Sequence, residues 1–160
     1  MRMTWVDRAL WLVLLGLLAA IAGVAIYKLQ PLLSPKPVLS APLDPACDLR
    51  RGPCTARFPG GGELTFEIKP NAIPILVPLT LRVAIQGLQA SGVEVDFAGV
   101  DMNMGFNRAS LVAVGGGRFE GEGMLPTCVR DRMTWEAKVL LQSPAGLLAA
   151  PFRFDTTRRP

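Results

Sequence analysis

LTLRVAIQ, residues 79–86, decides the fold: Leu79, Leu81, Val83 and Ile85 alternate with Thr80, Arg82, Ala84 and Gln86. Successive side chains of a strand point to opposite faces of a sheet, so a period of two gives one apolar and one polar face. The same period runs outward on both sides. Leu64, Phe66 and Ile68 alternate with Thr65, Glu67 and Lys69, and Val93, Val95 and Phe97 alternate with Glu94 and Asp96. Trp135, Ala137, Val139 and Leu141 form another series, and Phe152 and Phe154 close the pattern. Shorter runs at Met102/Met104/Phe106, at 111–114 and at 118–122 read as further strands. Turns fit Pro59-Gly60-Gly61-Gly62, Ala90-Ser91-Gly92, Gly115-Gly116-Gly117 and Ser143-Pro144-Ala145-Gly146. Roughly 110 residues in seven or eight strands predict one all-β domain, an immunoglobulin-like antiparallel β-sandwich.

Upstream, the composition changes twice. Between Gln30 and Pro45 stand Pro31, Pro35, Pro37, Pro42 and Pro45, a spacing that disfavours helix and central strand and predicts a semi-rigid spacer. Before it, ALWLVLLGLLAAIAGVAIY, residues 9–27, has no charge. As a helix it would reach roughly 28 Å, the hydrocarbon thickness of a bilayer. Trp5, Trp11 and Tyr27 stand near its ends, where aromatic rings favour the interface. A cleavable signal peptide is the alternative, with Ala20-Ile21-Ala22 as its cleavage-like site, but the apolar run continues through Val24–Tyr27. The expected layout is a cytoplasmic N-terminus (1–8), a transmembrane helix (9–27), a proline-rich linker (28–46), a periplasmic β-domain (47–155) and a tail (156–160). Arg2 and Arg8 favour that orientation weakly, and all three cysteines lie beyond the span, as suits an oxidising compartment.

Composition excludes several chemistries. The chain has 160 residues, no histidine, and 19% charged residues, less than the quarter or so usual in soluble domains. Without imidazole there is no Ser-His-Asp or Cys-His nucleophile system and no histidine-based zinc or copper site. The net charge of +4 is dispersed, and the pairs Arg50-Arg51 and Arg158-Arg159 lack interleaved aromatics, so no nucleic-acid partner is expected. The two Gly-Gly-Gly runs match no phosphate-binding motif. Glu94 with Asp96, and Glu120 with Glu122, read as solvated strand faces, so no enzyme is expected and no catalytic residue is assigned.

Two features could carry chemistry. Cys47 and Cys54 are separated by a segment containing Arg50-Arg51-Gly52-Pro53 that can turn back on itself, and their pairing is the preferred disulfide. Cys54 with Cys128 is the alternative, because geometry decides the choice. The second feature is a run of soft side chains: Met102, Met104, Met124, Cys128 and Met133, with Trp135 on the same alternation as Met133. Thioether and thiolate select Cu(I) without imidazole, which makes Met102, Met104, Cys128 and Met133 a candidate metal set with Cu(I) as the cofactor. Methionine as an adaptable core filler is the competing reading.

The anchor, the proline-rich spacer and a β-domain carrying Met102-Asn103-Met104-Gly105 together resemble the FixH/YtkA-like family. The resemblance covers the architecture of most of the chain and a short motif. It implies a tethered immunoglobulin-like protein of the bacterial inner membrane, associated with respiratory oxidase maturation and metal handling. Two functions follow: a periplasm-facing accessory protein that handles Cu(I) for oxidase assembly, or a non-metal interaction subunit that docks on a membrane complex such as a respiratory oxidase.

Overall fold

The structure is a computed structural model that describes residues 5–33, 37–102, 105–127 and 131–157. It divides into two units, residues 1–36 and 37–160. The first holds one helix, α1 (Trp5–Leu33), whose segment Leu10–Tyr27 has a mean hydropathy of 2.5 and no burial, long and apolar enough to cross a membrane. The helix runs past Tyr27 and through Pro31, so the spacer expected over 28–46 does not begin there.

The second unit is built of nine strands: β1 (Leu39–Ser40), β2 (Cys54–Arg57), β3 (Glu63–Lys69), β4 (Leu79–Gln86), β5 (Gly92–Gly99), β6 (Arg108–Gly115), β7 (Arg118–Gly123), β8 (Arg132–Ser143) and β9 (Gly146–Thr157). Two expected boundaries and one expected strand differ from what is observed. Residues 37–46 belong to this unit: Leu39 and Ser40 pair in parallel with Leu148 and Ala149, and Ala41 is buried. A two-residue strand at the sheet edge tolerates the neighbouring prolines, which a central strand would not. The expected tail at 156–160 begins too early, because Thr156 is buried in β9. The run Met102/Met104/Phe106 is no strand among the described residues, since β5 ends at Gly99 and β6 begins at Arg108. Gly105 there has a φ of 78°, which takes the chain out of the extended region.

The strands form one curled mixed sheet, a half-barrel, in the order β1-β9-β8-β5-β6-β7-β4-β3-β2. β6 joins its halves: residues 108–111 pair with β5, and Val112, Ala113 and Gly115 pair with β7 across a register shift. The curl demands a close approach there. A Cβ on Gly121 of β7 would lie 2.9 Å from the Ser110 carbonyl oxygen. The concave side carries the apolar residues of the alternating runs in β3, β4, β5, β8 and β9, with Leu64, Phe66, Leu81, Val95, Phe97 and Trp135 fully buried. Strands far apart in the sheet meet across this core, as the Phe66 and Phe152 rings do at 5.4 Å between centroids. The convex side is laid with cross-strand ion pairs. Arg82 lies between Glu67 (3.6 Å) and Glu120 (3.2 Å), and Glu136 accepts from Arg153 (3.0 Å).

Candidate functional site

The β-domain has two unlike ends. At one, tight turns join β2–β3, β6–β7 and β8–β9. The other carries the longer connections after β3, β5 and β7, and the described candidate metal residues Met102 and Met133 lie there or in the strand leading from it. Hydrogen bonds tie the first two of these loops to residues 124–125 and to β8. Leu76 N–H donates to the Leu125 carbonyl at 2.9 Å, and Val100 N–H donates to the Thr134 carbonyl at 3.0 Å. Asn107 Nδ2 donates to the Met124 carbonyl at 3.0 Å.

The loop end leaves large apolar side chains in solvent. Phe106 is 75% exposed and Leu76 58%, with Val77, Val100 and Met124 also exposed. Leu76 holds a φ of 58°, a left-handed conformation rare for a branched side chain. The Phe106 ring is covered on one face by the Arg108 guanidinium, 4.9 Å from its centroid. That guanidinium donates to Glu94 (3.3 Å) and Asp96 (3.5 Å), so the carboxylate pair on β5 is bound by one arginine and not merely solvated. The apolar character of this end is what the sequence concealed. Met102, Met104 and Phe106 mimic an alternating strand, while Leu76 and Val77 lie between two strands whose own alternation is stronger.

The candidate metal set is described in part. Met133 is 6% exposed and lies in the core beside Trp135, on the concave face of β8. Met102 is half-buried and packs against that core. Met104 and Cys128 lie outside the described residues. Met124 is exposed at the loop surface. Trp135 is fully buried, and its Nε1–H donates to Thr156 Oγ1 at 2.9 Å, so its indole is committed to the core. Among the described residues, no three or more Cys, Asp or Glu side chains are grouped to hold a metal ion.

Cys47 and Cys54 form the disulfide, with their Cα atoms 5.8 Å apart. It closes a loop whose Leu49 side chain is 1% exposed in the core, so a short covalent ring fixes one apolar plug. Asp48 in this ring accepts from Arg50 Nε at 3.0 Å. The Arg50 hydrogen bond holds its carboxyl below the usual carboxylate range. Across the same end, hydrogen bonds from Arg132 and then Thr134 depress Asp155 in the same way, with Arg50 adding attraction.

Comparison with family models, with curated proteins and with solved structures finds no match to this chain.

Proposed function

We propose that the chain is a membrane-anchored accessory protein whose β-domain docks on a membrane protein complex through its loop end. The carrying observation is the set of exposed apolar side chains on three loops, two of which are hydrogen-bonded to the third: Leu76 and Val77, Val100 and Phe106, and Met124. Such a set costs solubility and does nothing for the core, which is what an interaction surface looks like before it is covered. Residues 9–27 are the single span, the bacterial inner membrane is the location, and the β-domain faces the periplasm. The disulfide supports that side, because such bonds persist in oxidising compartments. The FixH/YtkA-like architecture favours a respiratory oxidase as the complex. The fold-back that brings Phe66 onto Phe152 favours kinship with immunoglobulin-like sandwiches joined through a shared strand.

The test is native electrophoresis of the tagged full chain from mild detergent. The wild type is expected to run within a larger complex, and a Leu76→Ser/Phe106→Ser/Met124→Ser variant outside it. Identical migration of the two would count against docking by the loop end.

Cu(I) binding by Met102, Met104, Cys128 and Met133 is a second reading, favoured by one observation. Met102 packs on the core that contains Met133, so two of the four soft side chains lie at the same end of the domain. These soft side chains would hold the cuprous ion, and no histidine is needed for it. Anaerobic titration of the full chain against a chromogenic Cu(I) chelator decides the matter. One equivalent bound, and lost in Met102→Leu/Met104→Leu, supports the site, whereas unchanged binding in that variant removes it.

A further inference from the structure

β2 ends the sheet, so one of its backbone edges has no strand beside it. The register shows which groups point outward. Phe58 N–H donates to the Gly62 carbonyl at 3.1 Å, and the pairs Ala56–Leu64 and Cys54–Phe66 follow at two-residue steps. Antiparallel ladders alternate such bonded pairs with unbonded ones whose side chains approach more closely. Thr55 and Thr65 are a pair of the second kind, with their hydroxyls 2.9 Å apart. The main-chain N–H and C=O of Thr55 and Arg57 therefore point away from β3 into the open edge, and no other backbone group of the described residues meets them. Both residues are exposed.

This edge lines an open groove of about 650 Å³ together with Pro42, Leu43, Asp44 and Ala46. Pro53 and Pro59 stand on either side of the strand, so it offers two open rungs and no more. We infer that this edge binds an extended segment of a partner polypeptide, added as a tenth strand beside β2 through the main chain of Thr55 and Arg57. The groove is shallow and open, and a slender extended chain can lie along it. A second copy suits it poorly, because a four-residue strand buries far less area than a stable dimer needs. The segment is recognised by its backbone: two residues at positions i and i+2, neither of them proline, exchange N–H···O bonds with Thr55 and Arg57. This site is separate from the loop-end docking surface and does not depend on it.

The test uses the full chain in nanodiscs, with a random linear heptapeptide display library as the probe. Peptides enriched on the wild type are expected to bind at least about tenfold more weakly to Thr55→Pro. That change removes one outward N–H and no ladder bond. The same peptides are expected to lose binding when N-methylated at two alternate positions, a comparison made on the wild-type chain and so independent of how Thr55→Pro folds. A selection without binders, or binders indifferent to both changes, overturns the proposal. Binding that is lost in Leu76→Ser/Phe106→Ser instead would place the peptide at the loop end and overturn it equally. A dimer that Thr55→Pro dissociates would give the edge to a second copy.

Discussion

At one end of the β-domain, strands reverse through turns whose glycines hold positive φ. At the other they are joined by longer loops that carry Leu76, Val77, Phe106 and Met124 into solvent. Gly117 shows the constraint at the first end. Its φ is 72°, its carbonyl accepts from Ile85 N–H at 2.9 Å, and a Cβ would stand 2.7 Å from the Ile85 carbonyl oxygen. Geometry there is fixed by the fold. At the loop end the backbone is held by a few hydrogen bonds while the side chains are left unpacked. These exposed apolar side chains are the observation on which the proposed docking rests.

The largest expected effect tests whether the loop end rests on a rigid floor. Trp135→Ala removes a fully buried ring and orphans Thr156, and should lower stability by about 3–5 kcal/mol in denaturant titration. A loss under about 1 kcal/mol would mean that the floor is soft. Next comes the turn end: Gly117→Ala forces a side chain into a left-handed backbone against a carbonyl, and should cost about 2 kcal/mol by the same measurement. Leu76→Ser and Met124→Ser at the loop end should each stay within about 0.5 kcal/mol of wild type. If all three surface changes proved equal, the contrast between the ends would fail.

Much of this contrast was legible in the sequence, and its limits have physical causes. Strict alternation in 64–69, 79–86, 93–97 and 135–141 marked strands whose apolar residues are indeed buried. Cysteine spacing favoured the disulfide that forms. β1 was hidden because two residues between prolines carry no period. The apolar run at 111–114 marked a strand, but Val112 and Val114 stand exposed where β6 passes from pairing with β5 to pairing with β7. The strand order is set by pairings such as Leu79–Gly123, far apart in the chain, and local pattern cannot encode them. Met133 is buried beside Trp135, yet burial is common to a core filler and a buried ligand, so the metal question passes to titration.

The smallest expected effect is acid sensitivity at the loop end. Asp48 and Asp155 both have folded-state pKa values below the ordinary one, through hydrogen bonds from Arg50 and Arg132. A depressed carboxyl contributes stability above its unfolded pKa, near about 3.9, and loses it as pH falls through the lower folded value. The melting temperature should therefore be level above about pH 5 and decline below about pH 4. Asp155→Asn should flatten part of that decline, by well under about 1 kcal/mol because Arg132 is largely exposed. An unaltered acid limb in this variant would remove Asp155 from the account.

The shared strand β6 has a consequence for how the domain comes apart. Because it gives half its length to β5 and half to β7, the two halves of the sheet have no seam along which one could melt while the other survives. Heat should release both in one cooperative transition, with the calorimetric and van't Hoff enthalpies in agreement. Amide protons on β4 and on β8, in opposite halves, should then exchange with the same opening free energy.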